Sequence, residues 1–289
     1  MQEIALKESD ISKLKPYPLD GIWNSESNIY YYKKDSDMNS ILIKKLLLTD
    51  TKNVNKKIET ITKIKESELS SYKELVLPQD IIVVGGIKSG FTIPEVVDSI
   101  TLGELLEDRT IPNSVKLNTL KKIGDLIRKI QCQKQNFYFC DLHEYNFLIK
   151  KNGEIAVIDL DSSSVSRRRT AISSYIIMDN KTHHISKYRV KDYVYSYPSI
   201  NADNYCYNTL VLNFLAGRRL HELNYNDYFD YINYLYNIGI IPSEMRDIYI
   251  NHYTDKKNML VVDYIDEIPQ AYERGCYNVF KGLQKIKKD

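Results

Sequence analysis

Cysteine is scarce in this chain: four among 289 residues, at 132, 140, 206 and 276, with no C-x-x-C pair. That spacing supports neither a disulfide framework nor a zinc site, and a reducing compartment is the simpler expectation. Charge of one sign is lacking as well. Forty basic residues stand against 38 acidic ones for a formal charge of +2, which argues against the general basic field that nucleic-acid binding usually needs. Arg167-Arg168-Arg169 is only a local exception. Long hydrophobic runs are also missing, and the longest, such as IIVV at 81 to 84, are too short to span a bilayer. The opening MQEIALKESD has neither the basic nor the apolar region of a signal peptide. The expectation is a soluble, cytoplasmic protein with no membrane span and no nucleic-acid partner.

What is present is enough for a large core. Hydrophobic residues make up 43% of the chain, and its length suits one large domain or two lobes. Tyrosine is abundant, at 24 residues, but no repeat or low-complexity tract gives it a functional meaning.

From about residue 17 to 97 the pattern is strand-rich: NIYYYKK at 28 to 34, a DSDMN turn, SILIKKLLL at 40 to 48, then IIVVGG and GFTIPEVV. One helix interrupts it. NVNKKIETITKIKE at 53 to 66 puts Val54, Ile58, Ile61 and Ile64 at three- and four-residue spacings, making one apolar face. After Val97 the pattern turns helical, with TLGELLED at 101 to 108 and VKLNTLKKIGDLIRKIQ carrying the stripe Leu120, Ile123, Ile127, Ile130. TLVLNFLAG at 209 to 217 is apolar on most of its circumference and predicts a buried central helix; further tyrosine-rich helices follow from 225. The division falls near Asp98, giving units 1–97 and 98–289.

The stretch FYFCDLHEYNFLIKKNGEIAVIDLD, 137 to 161, carries the chemistry. Phe147 to Ile149 predicts a strand, Asn152-Gly153 supplies turn residues that tolerate positive φ, and Ile155 to Ile158 returns as a second strand. Asn146 and Asp159 then flank the open end, with Asp141 five residues before Asn146 and His143 between them. Any one of these is an ordinary turn or cap residue by itself. Together they are oxygen ligands of the kind that suit a hard divalent cation such as magnesium.

A strand-rich lobe with one helix, a helical lobe behind it, and D-x-x-x-x-N opening a hairpin that closes on Asp together resemble the protein kinase superfamily over most of the chain. The resemblance implies an α+β, bilobal protein kinase-like fold: a small strand-rich N-lobe with one main helix and a larger, mostly helical C-lobe. It implies ATP and Mg2+ as cofactors. In DLHEYN it gives Asp141 the part of the base that accepts the substrate hydroxyl proton, and Asn146 the part of a magnesium ligand. Asp159 of IDLD stands for the D-F-G aspartate, the second magnesium ligand. Lys44 in ILIKKLL stands where the family lysine would neutralise nucleotide phosphates, with Lys45 as the rival on the opposite strand face. Glu59, ahead of Glu66 and Glu68, stands for the helix glutamate that pairs with that lysine. Glu95, Val96 and Val97 stand where backbone groups meet adenine, and Asp203 stands where an aspartate braces the catalytic loop.

Four features depart from the family. The G-x-G-x-x-G loop is missing: GIWNSESNIY at 21 to 30 has only Gly21, with Asn24, Ser25 and Ser27 where close backbone approach favours glycine. Phe139-Cys140 replaces the H-R before the catalytic aspartate, and Asp161 occupies the D-F-G glycine position. No clear A-P-E is present, YPS at 197 to 199 being its nearest counterpart. With Cys140 in place of arginine, phosphates on Ser162, Ser163, Ser164, Thr170, Ser173 or Ser174 lack their usual cationic partner, so activity is not expected to need them. His143 in D-L-H-x-x-N matches aminoglycoside and choline kinases and points to a small-molecule hydroxyl. The long segment from Asp159 to about Ser199 resembles the substrate-binding half of a protein kinase. A divergent serine/threonine protein kinase acting on a protein substrate is the favoured expectation, with a small-molecule kinase and a pseudokinase scaffold as alternatives.

Overall fold

The computed structural model describes residues 1–18, 26–34, 40–47, 51–133, 136–165, 199–216, 225–251 and 259–270. Gly21, Asn24, Ser25, Arg167 to Arg169, Thr170, Ser173, Ser174 and the first two residues of YPS lie outside that set. The protein is of mixed α+β class. It divides into two compact units, Met1–Thr101 with Tyr145–Val165, and Leu102–Glu144 with Ser166–Asp289.

The first unit is built on strands β1 (Glu3–Leu6), β2 (Ser27–Lys34), β3 (Ser40–Leu46), β4 (Ile81–Val84) and β5 (Ile87–Pro94), in the order β1-β4-β5-β3-β2. All neighbouring pairs are antiparallel except β1 with β4. Strand alternation gives the sheet two apolar faces. Leu46, Ile81 and Phe91 pack with Val54 and Ile58 of helix α2 (Thr51–Lys65), while Ile43, Ile82 and Val84 pack with Ile11 of helix α1 (Glu8–Ile11) on the other side. Each such buried side chain contributes about 1.5–3 kcal/mol. Residues 15 to 17 cover the outer edge of β2, with the Tyr31 amide donating to the Lys15 carbonyl at 2.9 Å and the Tyr17 amide to Ile29 at 2.9 Å.

A three-stranded sheet belongs to the same unit. Its strands are β6 (Ser99–Thr101) and the hairpin β8 (Phe147–Lys150) and β9 (Ile155–Val157), in the order β6-β8-β9. Gly153 adopts φ 78°, which glycine takes without cost, and the Asn152 side chain accepts from the Glu154 amide at 3.0 Å. On its other side β9 is held by residues 74 to 76: the Val157 amide donates to the Glu74 carbonyl at 2.7 Å, and the Val76 amide to Val157 at 2.9 Å.

The second unit contains helices α3 (Leu102–Glu107) and α4 (Asn113–Gln131), the two-residue strand β7 (Phe137–Tyr138), and helices α5 (Ile200–Ala216), α6 (Tyr225–Asn237) and α7 (Ser243–Asn251). A 3₁₀ segment, Val261–Glu267, packs on α4 and α7. Helix α5 is buried around most of its circumference: its second half, from Leu210 to Ala216, is apolar but for Asn213, and its first half buries the polar Asp203, Asn204 and Asn208 as well. It lies close to α4, where Gly124 leaves room for Tyr207, whose hydroxyl donates to the Leu120 carbonyl at 2.8 Å. Asn208 of the same helix donates to the Met259 carbonyl at 2.7 Å and accepts from the Val261 amide at 3.0 Å. Among the described residues, no helix is long and apolar enough to cross a membrane.

Candidate functional site

Lys44 and Lys45 are neighbours on β3 and therefore point to opposite faces. Lys45 goes to the α1 side, where its ammonium meets the Glu8 carboxylate at 2.8 Å. Lys44 goes to the α2 side and is buried there. It is ion-paired to Asp159 and, at 2.8 Å, to Asp161, and lies 5.7 Å from the centroid of the Phe91 ring. Burial works against its charge, but the two carboxylates more than offset that and hold its pKa above the ordinary lysine value.

Asp159 reaches this point through the hairpin. Phe147 pairs with Val157, and the Ile158 amide donates to the Asn146 carbonyl at 3.0 Å, which sets Asn146 beside the end of β9. Asp159 then takes a left-handed conformation, φ 61° and ψ 40°, which turns the chain into the 3₁₀ segment Leu160–Ser162. Aspartate tolerates that region better than most side chains, and such outliers gather at functional sites. Although its side chain is only partly buried, desolvation at this position pushes its carboxyl up to about 7 against the pull of Lys44, with neighbouring Asp161 adding to the rise. Asp161 goes the other way. Two ammonium groups overcome its burial and hold it well below the usual carboxylate range.

The second of those ammonium groups is Lys57 of α2. Its nitrogen lies 2.9 Å from Asp161 and 3.1 Å from Glu26, and donates to the Ser162 hydroxyl at 3.2 Å. Its pKa too is raised, with burial overcome chiefly by Asp161. Glu59, matched to the helix glutamate, stands apart from this arrangement. It is half-exposed and pairs along the helix with Lys63 at 2.5 Å, and both carboxylate partners of Lys44 come from the segment after the hairpin. The reason is helical phase. The buried stripe of α2 is Val54, Lys57, Ile58, Ile61 and Ile64, and residue 59 lies about 100° from residue 58. Lys57, three residues after Val54 and four before Ile61, occupies a place in the stripe that the apolar pattern left vacant. A lysine in such a place is the signal that sequence reading missed.

Of the residues matched to adenine contacts, Glu95 donates its amide to the Ser40 carbonyl at 2.8 Å, so that group is committed inside the protein. Its side chain hydrogen-bonds Tyr17. The Val96 carbonyl accepts from the Ser99 hydroxyl at 2.8 Å and keeps a second lone pair, while Val97 is exposed. Ser162, Ser163 and Ser164 are buried.

In the second unit Asp203, near the start of α5, is buried and accepts from the Phe139 amide at 2.9 Å and the Cys140 amide at 3.0 Å. These bonds fix the chain just before Asp141, where Cys140 holds φ 62°. Burial raises the Asp203 carboxyl to about 7 against the two amide bonds. His143 Nε2 lies 3.7 Å from an Asp141 carboxylate oxygen.

Among the described residues, no three His, Cys, Asp or Glu side chains form a group that would hold a metal ion by themselves. Asn146 and Asp159 fit magnesium in a narrower sense: one amide oxygen and one carboxylate suit an ion that keeps several waters and takes its other ligands from phosphates. No protein-family model matches this chain, and no curated protein matches it by sequence.

Proposed function

We propose that the chain is an ATP- and magnesium-dependent phosphotransferase of bilobal, protein kinase-like fold, delivering the γ-phosphoryl group to a hydroxyl, in the first place a serine or threonine of a protein. The observation that carries this reading is the pairing of buried Lys44 on β3 with Asp159 at the exit of the β8–β9 hairpin. A lysine and an aspartate drawn together over 115 residues, the aspartate at the base of a hairpin opened by Asn146, supply the cation and the metal-binding carboxylate that phosphoryl transfer needs to neutralise phosphate charge.

In this reading Lys44 meets the nucleotide phosphates, Asn146 and Asp159 hold magnesium, and Asp141 accepts the hydroxyl proton. Magnesium supplies charge neutralisation across the phosphates when bound. The backbone bonds from Asp203 hold the residues before Asp141 in one conformation, which limits the entropy lost in orienting the base. Glu95 contributes its carbonyl at most, since its amide is committed to Ser40. His143 favours a second reading, a small-molecule hydroxyl as acceptor, because its Nε2, 3.7 Å from the Asp141 carboxylate and too far to hydrogen-bond it directly, sets an imidazole beside the base that a small acceptor could meet.

Labelled ATP with magnesium, offered alone and with protein and metabolite panels, tests activity and acceptor class together. Asp159→Ala is expected to abolish metal-dependent nucleotide binding. Asp141→Asn is expected to retain binding and lose turnover by about 10²-fold or more, the usual worth of a general base. Label on a metabolite and none on protein selects the second reading. Nucleotide binding with no turnover on any acceptor selects a scaffold, and unchanged turnover in Asp141→Asn overturns the base assignment.

A further inference from the structure

We infer that Asp161, itself held by Lys57, is the residue that positions Lys44, while Asp159 is the partner Lys44 gives up when a ligand binds. This rests on the reading of Lys44 as the phosphate-binding lysine. Two carboxylates share that lysine, and their surroundings differ sharply. The Asp161 side chain is 1% exposed and lies between two ammonium groups, Lys44 on one oxygen at 2.8 Å and Lys57 on the other at 2.9 Å. Lys57 is 2% exposed and is fixed in turn by Glu26 and by the Ser162 hydroxyl. Asp159 is 34% exposed and lies at the hairpin end beside Asn146.

The charges therefore alternate along one chain of contacts: Glu26, Lys57, Asp161, Lys44, Asp159. A buried anion between two buried cations is costly to disturb from either side, so Asp161 stays. The partly exposed end of the chain is the one that can trade its cation for another. Helix α2 thus reaches Lys44 with a cation and an intervening carboxylate, and the carboxylate comes from the position where the family has glycine. This arrangement gives the non-glycine residue at 161 and the lysine in the apolar stripe of α2 one shared purpose.

The test follows Lys44 itself in ligand-free protein, by the rate at which an amine-reactive reagent modifies it, read by mass spectrometry. A fluorescent ATP analogue with magnesium is then titrated into the same variants. Expected is a rise of about tenfold or more in Lys44 modification in Asp161→Asn and in Lys57→Met, little change in Asp159→Asn, and little change in Glu59→Gln. Lys57→Arg, which keeps the cation, is expected to restore protection. The nucleotide analogue is expected to bind about tenfold more weakly to Asp161→Asn and Lys57→Met and to lose its magnesium dependence only in Asp159→Asn. If Asp161→Asn fails to fold, Lys57→Met against Lys57→Arg carries the same comparison. Equal exposure of Lys44 in Asp159→Asn and Lys57→Met, or exposure in Glu59→Gln alone, overturns the inference. Failure of the wild-type protein to bind nucleotide would sink the phosphotransferase reading, whereas the modification rates judge the charge chain separately.

Discussion

Asp203 is a single carboxylate whose surroundings set a measurable property of the protein. Its folded pKa, about 7, lies above the ordinary aspartate value, so between about pH 4 and pH 7 the folded protein holds a proton that the unfolded chain has released. The stability this group contributes is complete below that window and is lost as pH rises through about 7. In urea unfolding followed from pH 5 to pH 8, the wild-type midpoint should fall with pH more steeply than that of Asp203→Asn. The variant should also be less stable at pH 5 by roughly 1–3 kcal/mol, because an amide presents an N–H₂ where one backbone N–H needs an acceptor. Parallel curves for the two proteins would contradict the assignment. Ser162, Ser163 and Ser164 also gain meaning at this scale. All three are buried, and Ser162 accepts from Lys57, so none of them offers a hydroxyl to a modifying enzyme in the folded protein.

The elements depend on two close approaches that only glycine permits. On β5, a Cβ at Gly90 would stand 2.1 Å from the Lys44 carbonyl oxygen, so Gly90→Ala must push β5 away from β3 at the residue that carries the candidate site. On α4, a Cβ at Gly124 would stand 2.4 Å from the Tyr207 hydroxyl oxygen and 2.7 Å from a Val262 methyl. Both substitutions should destabilise by about 1–3 kcal/mol or more, the range for overpacking. They differ in what relieves them. Tyr207→Leu, which removes both the hydroxyl and the ring carbon that would stand 2.6 Å from the added Cβ, should recover part of the loss in Gly124→Ala, while no side-chain change should rescue Gly90→Ala, whose obstacle is backbone. Denaturant midpoints of the singles and the double settle this, and the absence of coupling between 124 and 207 would be inconsistent with the packing described. The same contacts show how legible the elements were. The strands β2 and β3, the helices α2 and α4 and the Asn152-Gly153 hairpin follow from periodicity and turn chemistry. The short strands β1 and β6 do not, because four- and three-residue stretches such as EIAL and SIT become strands only through the neighbours they pair with.

For the molecule as a whole, 40 basic against 38 acidic residues leave little net field. Retention on nucleic acid at physiological salt is therefore not expected, and any weak binding at low salt should show a shallow dependence of affinity on salt, of the order of one or two phosphate contacts. A steep dependence would mean that basic residues are gathered on one surface. The division into units also belongs to this scale. Residues 145 to 165 are grouped with the first unit, tied there by β6 and by residues 74 to 76. A chain that leaves and returns cannot be seen in a change of composition near Asp98, since composition records order along the chain and not return in space.

Residue order alone carries what short-range physics controls. Strand alternation sent Lys44 and Lys45 to opposite faces, a period of 3.6 wrote the apolar stripe of α2, and the turn placed Asn146 and Asp159 at one hairpin end. Tertiary structure alone decided which charge meets which. Lys57 and not Glu59 faces the site, Asp161 holds Lys44 from 117 residues away, and the Glu95 amide is spent on Ser40. The reason is that dihedral preferences and periodicity act over a few residues, whereas ion pairing in a buried setting depends on separation in space and on exposure to water, which strand register and helix packing fix only once the sheet has formed.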